Sequence, residues 1–143
     1  VTRALDARKP GLSQHFPTVE HCFSGRGFAE VCKLLTGHTE ISPEAIMQLG
    51  DQGDLEIREA LAFYAELIGW LHRELMLAYL PTHGVYFAGS VARSILTRAC
   101  SARFRTVIAR PYPIKTHEQT PSFVITSDAA ALRGCARVPL GLG

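Results

Sequence analysis

Apolar positions recur at helical spacing through most of the chain and condense into short unbroken runs near residues 85–88 and 123–126. Leu55 to Leu80 is the longest periodic segment, roughly 39 Å of helix at about 1.5 Å per residue. Glu56, Glu59, Glu66 and Arg73 fall on one polar stripe, since steps of three and seven return to the same face. The remainder (Leu61, Tyr64, Leu67, Ile68, Trp70, Leu71, Leu75, Leu77) is apolar, which predicts a central pillar. Pro81 stops it, and a strand follows almost at once. Val85 to Ala88, rich in β-branched and aromatic residues, reads as a strand buried on both faces. Gly89 breaks it, and Ser90 is placed to cap a helix that turns Val91, Ile95 and Leu96 inward and runs to about Ala99. A strand, a tight turn and a helix N-terminus together favour an anion. Many such junctions bind nothing, so the stretch alone leaves both readings open.

On the amino-terminal side, residues 1–10 read as the tail of a helix that Pro10-Gly11 ends, with Gly11 to Pro17 as connector. Thr18 to Phe23 reads as a short, mostly apolar turn carrying one acid. Ser24-Gly25 opens a helix with Phe28, Val31, Leu34 and Leu35 on one face, closed by Gly37. Ser42-Pro43 starts another, with Ile46, Met47 and Leu49 apolar and Gly50 as its end. Gly53-Asp54 punctuates before the pillar. Beyond residue 100, Ser101 to Ile108 reads as a short helix and Arg110 to Gln119 as an irregular surface loop. Phe123 to Thr126 is expected to form a second buried strand. Asp128 is expected to cap a final helix with Ala129, Leu132 and Ala136, ended by Pro139, with Leu140 to Gly143 frayed.

A length of 143 residues suits one domain over 1–143, and 47% hydrophobic against 20% charged residues makes it globular. The net charge of +2 is small, and the basic residues are interspersed with acids, which excludes a nucleic-acid stripe. The densest cationic cluster, Arg98, Arg103, Arg105 and Arg110, reads as a solvated face. No apolar run, Met76 to Leu80 included, approaches membrane-spanning length, and no signal-peptide pattern opens the chain. Cys22, Cys32, Cys100 and Cys135 lack CxxC spacing and read as free thiols in a reducing cytosol. The histidines at 15, 21, 38, 72, 83 and 117 form no metal pattern, and no repeat or low-complexity tract is present.

Two strand-to-helix units preceded by a long buried helix are also the carboxy-terminal pattern of the bacterial-type glucokinases. Ser24-Gly25-Arg26-Gly27-Phe28 resembles that family's Ser-Gly-Pro-Gly-Leu helix start. Gly84-Val85-Tyr86-Phe87-Ala88-Gly89-Ser90-Val91 is similar to its adenosine motif, Gly-Val-Phe-Ile-Ala-Gly-Gly-Ile. Asp128, Leu132 and Gly134 resemble its closing strand–Asp–helix. The resemblance runs in register over about 18–137, apart from extra residues near 110–120. It implies an α/β fold, part of a ribonuclease-H-like domain of the actin-like ATPase superfamily, with a long buried helix, two buried strands and packing helices. The family's Asp-Gly-Gly-Thr phosphate loop, Asn-Asp general base, Gly-Thr-Gly turn and Glu-Gly-Gly-His sugar motif are absent here and are expected ahead of residue 1.

The resemblance also implies site roles. Glu20 stands where a family glutamate accepts hydrogen bonds from sugar hydroxyls; the alternative is an acid on the dipole of the helix starting at Ser24. Gly25 and Gly27 are implied at the adenosine pocket, with Arg26 either over the ring or facing water. Gly89 and Ser90 match the glycine pair that admits the nucleotide, Ser90 replacing the second glycine; it either contacts a phosphate or caps a helix. The implied ligands are a hexose, ATP and Mg2+, in the cytoplasm. No residue matches the catalytic base or a metal ligand, so the isolated chain is expected to be inactive. A sheet shortened in this way is expected to find the missing lobe or a second copy of itself. The competing readings are a non-catalytic binding or assembly module on the same scaffold, or another actin-like sugar or acetate kinase.

Overall fold

The computed structural model describes residues 1–39, 41–113 and 120–137. Ten regular elements follow in order: α1 (Thr2–Arg8), α2 (Val19–Phe23), α3 (Gly25–Thr36), α4 (Pro43–Gln52), α5 (Leu55–Tyr79), β1 (Val85–Phe87), α6 (Ser90–Leu96), α7 (Ser101–Ile108), β2 (Ser122–Val124) and α8 (Ala130–Cys135). A 3-10 turn at Leu12–His15 sits in the expected connector and buries Leu12. The fold is a mostly helical α/β arrangement whose two strands run parallel, Val85 facing Ser122, Tyr86 facing Phe123 and Phe87 facing Val124.

The pillar forms as its pattern demands. Asp54 caps it by accepting the Ile57 amide at 2.9 Å, and Leu80 closes it in the left-handed region. Ile57, Tyr64, Ala65 and Leu67 are fully buried along it. α5 packs most extensively on α7, then on α3, α4 and α6. Phe28, Val31, Ile46 and Ile95 from the surrounding helices complete one apolar cluster with it. The predicted caps also hold: Ser24 accepts the Gly27 amide, Ser42 accepts the Ala45 amide, and Gly37 closes α3 at φ 76°.

Several expectations are corrected. Thr18 to Phe23 is a helix, α2, whose cap is the Thr18 hydroxyl accepting the His21 amide at 3.2 Å; five residues are too few to show a period. α4 runs through Gly50 and ends at Gly53, because Gly50 is reserved for close approach: a Cβ there would lie 2.6 Å from the Leu61 side chain. α6 stops at Leu96, short of Ala99. Neither strand is buried on both faces. Tyr86 is 59% and Phe123 43% exposed, stacked on each other at 4.9 Å and 18°. Side chains alternate along a strand, and these two share the more exposed face of the pair. Phe87 turns the other way, toward His72 and Phe104.

Ser90 does not cap α6. Gly89 occupies that position at φ 97°, its carbonyl accepts the Arg93 amide, and Ser90 is the first helical residue, with no capping bond. Asp128 does not cap α8, which begins two residues later behind Ala129; it pairs instead with Arg93 at 2.6 Å. Leu132 is exposed rather than packed. Expectations for 114–119, for Pro139 and for Leu140 to Gly143 lie outside the described residues.

The arginine cluster is engaged with the fold. Arg98 pairs with Asp51, Arg103 with Glu59 and Glu66, Arg105 donates to Ser101, and Arg110 lies over the Trp70 ring. Arg73 closes the far end of α7, donating to the carbonyls of Val107, Arg110 and Pro111 while its guanidinium lies 4.0 Å from the Tyr112 ring. A fork of donors on orphan carbonyls at a helix C-terminus is what arginine supplies best. Arg73→Ala is expected to lower stability by about 1–2 kcal/mol in urea unfolding.

Candidate functional site

The α2–α3 corner is built by three devices. Ser24 ends α2, its amide donating to the Glu20 carbonyl, and caps α3 with its hydroxyl on the Gly27 amide at 3.1 Å. Gly27 is buried where α3 crosses α2: a Cβ there would overlap the His21 carbonyl oxygen and lie 2.6 Å from that of Cys22. The Tyr64 hydroxyl, from the pillar, donates to the Cys22 carbonyl at 3.0 Å.

On the outside of this corner a cleft of about 390 Å³ is lined by His15, Phe16, Glu20, His21, Ser24, Arg26, Gly27 and Glu30. Glu20 is exposed, in the first turn of α2, and its carboxylate has no hydrogen-bond or ion-pair partner among the described residues. Glu20 lies in the first turn of α2 rather than of α3, whose N-terminus Ser24 caps, so the helix dipole it faces is that of α2. Glu30 by contrast is paired with Lys33 at 3.6 Å. The His21 ring nitrogen Nδ1 is bonded to the Thr18 hydroxyl at 2.7 Å. The same hydroxyl accepts the His21 amide at 3.2 Å, so Thr18 fixes both the backbone and the ring of His21.

The structure thus brings Glu20, Gly27 and Arg26 to one cleft. Gly25, the first residue of α3, is not among its lining, and a Cβ there would meet open space. Gly89 and Ser90 stand apart from that lining, at the β1–α6 corner. Both are exposed, nothing would meet a Cβ at Gly89, and the Ser90 hydroxyl has no partner among the described residues. The hydroxyl of Tyr64 and the ring of His21 are the residues the sequence pattern did not single out. Tyr64 counted only as one more apolar position, and its polar tip was the available signal.

The thiols offer no chemistry here. All four cysteines are free; burial pushes Cys22 up to about 11 and Cys32 up to about 12, so both stay protonated. Among the described residues no group of three or more His, Cys, Asp or Glu could hold a metal ion. Nor is any helix among them long and apolar enough to cross a membrane.

The model of the family described as Glucokinase matches residues 9–140. Among curated proteins, the glucokinase of Agrobacterium fabrum (strain C58 / ATCC 33970) is 28% identical over 134 residues, covering 87% of this chain and 39% of the relative. The chain therefore spans about two fifths of that relative's length. No solved structure matches it significantly. The Ser24–Phe28 and Gly84–Val91 motifs both fall inside the matched range, and the chain belongs to the glucokinase family.

Proposed function

We propose that this chain is the carboxy-terminal part of a hexose kinase that transfers the γ-phosphoryl group of ATP to the 6-hydroxyl of glucose, supplying part of the sugar site and a nucleotide corner. In this reading residues 1–143 are one domain built on the actin-like ATPase fold. The observation that carries it is Glu20: an unpaired, exposed carboxylate on a cleft edge among the described residues, standing where the sequence resemblance implies the family's sugar-binding glutamate. A carboxylate accepts from two adjacent hydroxyls at once, and such charge-assisted bonds orient a polyol. The sugar is the neutral ligand for this site; Arg26 lies on the same cleft as a further donor, and the His21 ring lines it as well.

The Gly89–Ser90 corner fits a nucleotide phosphate. Its backbone is open to approach, and its hydroxyl is free among the described residues. Mg2+ would arrive with the ATP, neutralising charge on the transferred group; no residue described here is assigned to it. Gly25 and Gly27 support the adenosine side by sequence resemblance, although Gly27 has a packing role of its own. The exposed Tyr86–Phe123 face supports the same reading, because parallel sheets are covered on both sides. The preceding lobe of a longer kinase, or a second copy, would cover it.

The test is direct. Amide shifts of the chain titrated with glucose and, separately, with ATP should move Glu20 and its neighbours on α2 for the sugar, and the β1–α6 corner together with Gly25 and Gly27 for the nucleotide. Glu20→Gln is expected to weaken glucose at least about tenfold and leave ATP unchanged. A coupled assay on the isolated chain is expected to yield no glucose 6-phosphate, since nothing in it matches the Asn-Asp base. Robust turnover overturns the expected inactivity of the chain, and an unchanged glucose affinity in the Gln variant overturns the role of Glu20.

A further inference from the structure

A helix of five residues does not hold itself together in water. α2 must be fixed by what it touches, and one side chain of the pillar, Tyr64, meets it both at a ring and at a carbonyl. Tyr64 is completely buried, its ring edge-on to Phe28 at 4.9 Å and tilted against Phe23 at 5.8 Å. Its hydroxyl donates to the Cys22 carbonyl, one of the last-turn carbonyls of α2 that have no partner within the helix. Burial pushes the phenol well above its ordinary range, so it remains a donor at any working pH. Gly27 lets the same carbonyl approach α3. Glu20 sits two residues earlier on that helix, with nothing else among the described residues holding its carboxylate.

We propose that Tyr64 is a positioning residue for Glu20: its buried hydroxyl fixes the C-terminal turn of α2 and thereby the direction in which the Glu20 carboxylate meets a sugar. This rests on the reading of Glu20 as the sugar-binding acid. The hydroxyl touches no ligand. It acts through the helix, holding an otherwise unanchored carboxylate so that little ordering is left to be done on binding.

The experiment compares glucose affinity, read from amide shifts, in the chain and in Tyr64→Phe, Glu20→Gln and Arg73→Ala. Tyr64→Phe keeps the ring packing and removes one donor, and it is expected to weaken glucose about fivefold while leaving ATP within about twofold. Arg73→Ala lowers stability from the α7 side and is expected to leave both affinities unchanged, which separates positioning from general loosening. If Glu20→Gln weakens glucose and Tyr64→Phe does not, the positioning role is overturned and the sugar reading stands. If neither variant changes glucose affinity, the sugar reading fails and takes this inference with it. Should Tyr64→Phe not fold, amide exchange in the unaltered chain decides: the Ser24 and Gly27 amides are expected to be protected nearly as well as those of α5. Exchange at the rate of a frayed end would overturn the clamp.

Discussion

Gly27→Ala is expected to destabilise the chain by about 3 kcal/mol or more, a fall of roughly 10 °C in Tm. Two effects compete. Alanine inside a helix ordinarily gains up to about 1 kcal/mol over glycine. Against it stands a clash between the added Cβ and two backbone carbonyls, those of His21 and Cys22. Backbone cannot rotate away as a flexible side chain can, so α2 must move bodily off α3. That movement breaks the Tyr64 hydrogen bond to Cys22 and uncovers the thiol and ring packed beneath it. The clash therefore wins. Gly25→Ala, two residues earlier with open space around it, is the control and is expected to stay within about 0.5 kcal/mol. Urea unfolding of the two variants checks the pair; equal stability would mean that the helices do not approach as closely as described.

The same corner marks what sequence could and could not say. The Ser-Gly-x-Gly pattern was legible as a helix start, and its cap is found on Ser24. The second glycine was legible as a family feature, but its need comes from carbonyls five and six residues earlier that only the fold brings overhead. The Ser24 and Ser42 helix starts were readable because local chemistry decides them, whereas Asp54 read only as punctuation and proves to be the cap of α5. Ser90 and Asp128 had the right chemistry for caps and the wrong position. At the first the turn geometry gave the place to Gly89, and at the second Arg93 claimed the carboxylate. Strand burial differs from the sequence expectation for another reason: apolar content says which residues can be covered, not what covers them, and Tyr86 and Phe123 stay exposed. Glu20 was legible as a candidate, whereas its lack of partners is a tertiary fact.

His72 was passed over because nothing near it in sequence explains it; its partners come from 40 and 50 residues later. It is buried on the pillar, with Nε2 at 2.8 Å from the Ser122 hydroxyl and Nδ1 at 3.3 Å from that of Tyr112. Its ring is stacked on Phe87 and edge-on to Phe104. It thus joins α5 to β1, β2 and the segment after α7. Burial holds its pKa below the ordinary 6.5, and the neighbouring Arg73 charge pushes the same way. The unfolded chain therefore takes up a proton at about pH 6.5 that the native one refuses. Stability attributable to His72 is flat above that pH, falls as pH drops through 6.5, and levels off only below the native value. His72→Ala is expected to cost about 2–4 kcal/mol at pH 7.5, chiefly as a cavity beside the Phe87 and Phe104 rings. It is also expected to flatten the fall between pH 6.5 and 5.5. Urea unfolding at the two pH values separates the effects, since cavity loss appears at both and the titration only in the difference. A variant whose stability falls with acid as steeply as the parent's would show that the ring is protonated in the folded chain, and that its hydroxyl partners accommodate the charge.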